Sequence, residues 1–267
     1  MEGISMDIKF AAMTLTWNNP SHDQFPQWLK EVKEAGYDGI TGFAHNHAFE
    51  YFLEHPKELY DLLDHFGLGL SSLDVTYQEN LDYYKKVSEF LAYNRCPNMA
   101  YIDPKGLPKE FSKLGERMNE VGKISLQYGV RTLYHNHTRG IGETFAEVER
   151  VHEHVDPDKV FVMLDLGHAT KDFTDLPVKE RAIHFVSKYW SKIKFMEFKD
   201  WNETTDLNTP LGEGHCDYAA VFQLIKEKGY HGWITVEQNG NDGLSRGRQP
   251  FECAKASREF IQQGLGI

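Results

Sequence analysis

The chain has 267 residues, of which 40% are hydrophobic and 13% aromatic, and a formal net charge of −11. That is enough apolar material for a sizeable core, and the composition has none of the bias of a disordered or collagen-like chain. An acidic chain with no basic block excludes a broad phosphate-backbone footprint, so a nucleic-acid partner is not expected.

The longest aliphatic runs, such as VFVML at 160–164, are far below the ~20 residues that cross a bilayer. No membrane partner is expected. The first residues, MEGISMDIKF, lack the basic start and apolar core of a secretory signal. Cys96, Cys216 and Cys253 have no CxxC partner and read as buried small hydrophobes in a reduced, cytoplasmic protein.

In chain order, eight runs read as strands: 8–17, 38–43, 68–77, 98–103, 130–137, 159–168, 192–201 and 232–238. Amphipathic stretches with helical periodicity separate them, beginning with FPQWLKEVKEA and ending with ECAKASREFIQQG. Glycines close two of these helices in the repeated GYxG spelling, at 36–39 and 229–232, where a left-handed residue turns the chain into the next strand. Strict βα alternation without a Pro, Gly or Ser-rich linker predicts a parallel sheet covered by helices. Eight such units predict an α/β fold, a single (β/α)8 TIM barrel over residues 1–267. A doubly wound open sheet is the alternative, but no GxGxxG follows the first strand.

In such a barrel the chemistry collects at the C-terminal ends of the strands. Strand five leads into YHNHTRGIGET, with His135, His137 and Glu143; strand six ends in DLGH, with Asp165 and His168. Strand seven ends in MEFKDW, with Glu197, Lys199 and Asp200, and strand eight carries Glu237. Alternation places Phe161, Met163 and Asp165 on one face, as it does Phe195, Glu197 and Lys199, and Trp233, Thr235 and Glu237. Acids converging from neighbouring strands repel unless protons or a divalent cation neutralise them. A metal centre at Glu143, Asp165, Glu197 and Glu237 is therefore expected; its oxygen-rich donors suit Mn²⁺ or Mg²⁺, and nearby histidines would admit Co²⁺.

Other polar residues carry blander readings. Asp200 reads as a solvated or helix-capping residue, and His152, His154, His184 and His231 as helix or turn residues. His45 and His47 in AHNHAFE read as pocket lining at best. Trp17 and Trp201 are candidates to stack on the apolar face of a substrate ring. Arg246 and Arg248 offer only a peripheral anion site, and no glycine-rich phosphate loop is evident, so an unphosphorylated substrate is expected.

At these residues the chain resembles the xylose isomerase-like barrel superfamily of sugar phosphate isomerases and epimerases. The resemblance is carried by YHNH followed by Glu143-Thr144, LDLGH at 164–168, EFKD at 197–200, LGEGHCDY at 211–218 and GYHGWITVEQ at 229–238. It implies that Glu143, Asp165 and Glu237 are metal ligands and that His168 faces substrate or the outer shell of the site. Relatives commonly spell HxKD where this chain has Glu197. The vertex then falls to Glu197 or to a neighbour such as His215, or the site is weakened.

The resemblance further implies a small-molecule sugar or cyclitol substrate, an enediolate stabilised by the metal, and carboxylate-mediated proton transfer. Glu143 and Glu237 would be base and acid, Lys199 or His168 would serve a substrate oxygen, and His137 would face the substrate. Isomerisation or epimerisation is the expected outcome. The HNH-x5-ET spelling is closer to the inosose dehydratase branch, which keeps elimination of water as the alternative. A non-catalytic sugar- or metal-binding barrel and a homo-oligomer also stay open, whereas a repair nuclease would want a basic face and more histidine ligands.

Overall fold

The computed structural model describes residues 6–240 and 247–267. Eight parallel strands close into a barrel: β1 (Asp7–Met13), β2 (Gly39–Phe43), β3 (Gly69–Thr76), β4 (Asn98–Ile102), β5 (Arg131–His135), β6 (Val160–Asp165), β7 (Ile193–Phe198) and, after a two-stranded ribbon, β10 (His231–Val236). The closing pair sets Asp7 of β1 beside His231 of β10. The ribbon, β8 (Asp200–Asn202) with β9 (Asp206–Thr209), is antiparallel and stands outside the barrel sheet.

Around the barrel run α1 (Phe25–Glu34), α2 (His47–Glu54), α3 (Pro56–Phe66), α4 (Leu81–Tyr93), α5 (Phe111–Ser125), α6 (Phe145–His154), α7 (Leu166–Asp172), α8 (Arg181–Tyr189), α9 (Tyr218–Lys228) and α10 (Pro250–Leu265). Helix α1 shows why: Phe25, Trp28, Leu29 and Val32, at helical spacing, are its buried face. Each such side chain contributes ~1.5–3 kcal/mol by leaving water. Helix α6 starts where Thr144 and Glu147 form a reciprocal capping box. Gly36 and Gly229 take φ of 87° and 71°, the left-handed turns expected of the GYxG repeats.

Inside the barrel, Ala100, Leu133, Met163 and Phe195 form a cluster of their own with Phe161 and Trp233 packed against it. This is the inward face that strand alternation predicts. Nearer the mouth, the Thr41 hydroxyl bonds with those of Ser71 and Thr235.

The expected strands were drawn too long at their C-terminal ends. Thr14–Trp17 form a short 3-10 helix after β1, Leu166–His168 belong to α7, and Asp200 and Trp201 enter the ribbon. Apolar periodicity cannot mark these ends, because the chain leaves the sheet while still buried. His231 starts β10 instead of lying in a helix or turn, and His47 opens α2. Arg246 lies outside the described residues.

Candidate active site

Asp165 does two jobs at the mouth of the barrel. As the last residue of β6 and N-cap of α7, it accepts the His168 backbone N–H on Oδ1 at 2.8 Å. Its Oδ2 looks into the mouth, 3.5 Å from His135 Nε2, 3.8 Å from His168 Nε2 and 3.9 Å from Lys199 Nζ. Asn136, the centre of YHNH, locks this strand end to β5 by donating to the Asp165 carbonyl (3.1 Å) and accepting its N–H (2.9 Å). Burial works against the charged form of Asp165. Its interactions with His168, Lys199 and His135 nevertheless hold its carboxyl well below the ordinary range.

Beside it, Asp74 from β3, His135 from β5 and Glu197 from β7 each offer a ligand atom within 4.8 Å of the others. All three are buried. His135 Nδ1 is 3.2 Å from Asp74 Oδ2 without hydrogen-bond alignment, and neither oxygen of Glu197 has a hydrogen-bond partner. Burial raises the Glu197 carboxyl well above its ordinary value, and the nearby charges of Glu237 and Asp165 raise it further. Burial alone would lower His135; Asp165 and Asp74 on its two sides more than reverse that and hold it well above its ordinary value.

The set is short of positive charge and of hydrogen-bond donors, a lack that a divalent cation would make good. Two carboxylates and an imidazole suit intermediate ions. Asp74, His135 and Glu197 would hold it, with Asp165 adjoining.

Lys199, just past β7, donates to the Glu237 carboxylate of the last strand's end. Burial would depress this ammonium, but Glu237, Asp165 and Glu197 around it hold it above its ordinary value. Gly167 permits the arrangement: a Cβ there would lie 2.6 Å from Lys199 Cγ, so only glycine lets α7 pass over the lysine stem.

The Thr138 backbone N–H donates to His168 Nδ1 at 3.2 Å, and the Thr138 hydroxyl, 2.9 Å from the same nitrogen, donates to Asp172 at 2.7 Å. A backbone N–H can only donate, so it fixes Nδ1 as an acceptor and leaves the proton on Nε2, facing the cavity. Burial depresses His168 well below its ordinary value and pushes Asp172 up to about 6. His137 packs at a tilt against His168 with ring centroids 4.0 Å apart; burial, and then the charge of His135, lower it to about 3.

Lys199, His168, His137, His135 and Glu237 all line one cavity of about 590 Å³. Of the residues expected at the site, the structure thus gathers Asp165, Glu197, Glu237, Lys199, His168 and His137. Glu143 is not gathered: its carboxylate accepts the Arg139 backbone N–H at 2.8 Å, stands 3.8 Å from Lys109 and is about a third exposed (32%). His215 pairs with exposed Glu203 at 2.6 Å, near Trp201. Neither Trp17, which donates to Glu31, nor Trp201 is among the cavity-lining residues, while His45 is.

Asp200 is a correction: it is fully buried, accepting backbone N–H groups from Trp201, Gly212, Gly214 and Cys216, and so ties down the loop after the ribbon. His47 is fully exposed beside Glu50, and Arg248 pairs with Glu213, so neither joins the cavity. Cys96, Cys216 and Cys253 are free and buried, as expected. Asp74 was missed. An acid near the end of an otherwise apolar strand, LGLSSLDVTY, was the available signal.

A family model described as a xylose isomerase-like TIM barrel matches residues 29–263. The chain is 29% identical over 176 residues to an inosose dehydratase of Bacillus cereus (strain AH820), a match covering 60% of this chain and 56%, about half, of that relative. A D-psicose 3-epimerase from Clostridium cellulolyticum H10, solved with D-tagatose, superposes with a TM-score of 0.76 at 17% identity, covering 96% of this chain and 99% of the other. A xylose isomerase-like TIM barrel protein from Mycobacterium smegmatis in complex with magnesium superposes with a TM-score of 0.74 at 19% identity, with 96% of each chain covered.

Proposed function

The chain belongs to the xylose isomerase-like TIM barrel family, and from that premise we propose that it is an isomerase or epimerase acting on a keto sugar or cyclitol. The observation that carries this reading is the meeting of Asp74, Asp165 and Glu197 around His135, with both Glu197 oxygens unpartnered. A divalent cation held there would polarise a substrate carbonyl and acidify the adjoining C–H. The mixed oxygen and nitrogen donors favour Mn²⁺, with Mg²⁺ or Co²⁺ as substitutes. The magnesium bound by the M. smegmatis relative supports a divalent ion.

The chain's own residues supply the rest. Glu237 faces the cavity with Lys199 on its carboxylate, so it is placed to take and return a carbon-bound proton while the ammonium donates to a substrate oxygen. His168 presents its Nε2–H to a hydroxyl. The metal set differs from the one expected in sequence, with Asp74 and His135 in place of Glu143 and Glu237, the latter being paired with Lys199 instead. Return of that proton by Glu237 to the neighbouring carbon gives the isomer, and delivery to the opposite face by a second donor, such as the Nε2–H of His168, gives the epimer.

The name of the Bacillus relative favours a second reading, in which expulsion of a β-hydroxyl after the same proton abstraction makes the protein a dehydratase. A cytoplasmic address, an unphosphorylated substrate and a homo-oligomer complete the proposal. Among the described residues no helix is long and apolar enough to cross a membrane.

Incubation in D₂O with ketoses and inososes and added Mn²⁺, Mg²⁺ or Co²⁺, followed by NMR, tests the reading. Deuterium at the carbon beside the carbonyl in an epimer or isomer supports the first reading, and a dehydrated diketone the second. Tight sugar binding with no exchange under any metal would make the protein a binding barrel instead.

A further inference from the structure

The cavity wall is basic although the chain carries a net charge of −11. Among the described residues four cationic side chains line it: Lys105 after β4, Arg139 after β5, Lys171 on α7 and Lys199 after β7. Among the described residues the one carboxylate in the lining, Glu237, is taken by Lys199, and Lys171 lies 2.8 Å from Asp206 of the ribbon. Lys105 and Arg139 remain. Their side chains are exposed and have no ion-pair or hydrogen-bond partner among the described residues.

Desolvation, and then the charges of Lys199, Arg139 and Lys171, push the Lys105 ammonium below its ordinary value, so these cations feel one another. Arg139 holds φ of 63°, a left-handed conformation costly for arginine, with its N–H donated to Glu143 and its carbonyl accepting from Gly106, beside Lys105. The loops therefore set two cations with no partner among the described residues at one edge of the cavity, where they create a positive field over the entrance.

We propose that the substrate carries a carboxylate, bound by Lys105 and Arg139 at the outer edge of the cavity while its keto carbon lies toward Lys199 and Glu237. The proposal rests on the keto-substrate reading above and deepens it. A carboxylate fits better than a phosphate because the backbone donors at neighbouring helix starts, which would cradle a phosphate, are filled by the chain's own acids. Asp175 takes the N–H groups of Phe145 and Ala146 at α6, and Asp165 takes that of His168 at α7. What is left is two side-chain cations, one of them a planar fork that matches a carboxylate.

The test is isothermal titration of the Mn²⁺-loaded protein with three six-carbon ketoses that differ only at C6: D-fructose, D-fructuronate and D-fructose 6-phosphate. The expected result is binding of the carboxylate about tenfold tighter than either other ligand, a preference of ~1.4 kcal/mol. It should fall toward parity in K105Q/R139Q, whose fold is checked by circular dichroism. Equal affinities, tighter binding of the phosphate, or an acid preference that survives K105Q/R139Q would overturn the proposal. Deuterium exchange run alongside keeps the two claims apart. Exchange without acid preference sinks this inference alone, whereas acid preference without exchange in any ketose or inosose sinks the reaction and leaves the carboxylate site standing.

Discussion

His135 Nδ1 stands 3.2 Å from Asp74 Oδ2, while the other ring nitrogen reaches Asp165, so one imidazole separates two buried strand-end carboxylates. The proton those carboxylates hold on the ring occupies the electrostatic role that a divalent cation would take over. Metal and proton should therefore compete.

Metal uptake should release protons and stabilise the fold. At a hundredfold excess over its dissociation constant, Mn²⁺ is expected to add ~2.7 kcal/mol, or about 5–10 °C in melting temperature for a chain of this size. Glu197→Gln should abolish that increment. It should also make the metal-free protein more stable than wild type at neutral pH, because burial beside Glu237 and Asp165 disfavours the charged carboxylate, which glutamine cannot form. A thermal melt with EDTA or Mn²⁺ on both proteins decides this; equal metal-induced shifts would remove Glu197 from the centre.

Lys199→Met should leave Glu237 and Asp165 without their shared cation. Removing one partner of a buried pair costs ~3–5 kcal/mol, whereas Lys199→Arg should keep most of the stability. Urea midpoints read the difference. A Lys199→Met protein as stable as wild type would mean that the ammonium is not needed to hold these acids in place.

Gly167→Ala tests the glycine of DLGH by sterics alone. The new methyl would meet Lys199 Cγ at 2.6 Å, so the lysine or α7 must shift. Overpacking of this kind costs ~1–3 kcal/mol, and a displaced ammonium should lower kcat by tenfold or more with a smaller effect on KM. Unchanged kinetics in a folded Gly167→Ala protein would count against Lys199 in proton transfer.

His152 makes stability fall in acid. Its half-buried ring lies among Tyr134, Phe185 and Tyr189, with Nε2 buried and unpartnered, and burial pushes it down to about 4 from an ordinary 6.5. The unfolded chain therefore takes up this proton first. The contribution is fully present above about pH 6.5 and declines as pH falls toward 4, by ~3 kcal/mol in all. Denaturant midpoints of His152→Phe should fall less over that window than those of wild type. Parallel curves would rule the ring out as the cause.

Asp165, Glu197, Lys199 and Glu237 were legible in the sequence because a strand's period of two and the βα repeat together fix which rim and which face a residue takes. Glu143 shows the limit. It lies beyond β5 on a loop, where no periodicity governs direction, and the fold turns it toward Arg139 and Lys109. Asp74 shows the converse, an acid near the end of an expected strand, overlooked because the histidines and acids gather in the second half of the barrel.

The order of the strands, the apolar filling of the barrel and the caps of α6 and α7 are local or periodic consequences of the amino-acid sequence. The partnership of Asp74, His135 and Glu197 and the cationic edge made by Lys105 and Arg139 belong to the tertiary structure alone. They join residues on different strands and loops at distances of a few ångströms, and that spacing is set by how the barrel closes and how its loops turn, which no pattern along the chain encodes.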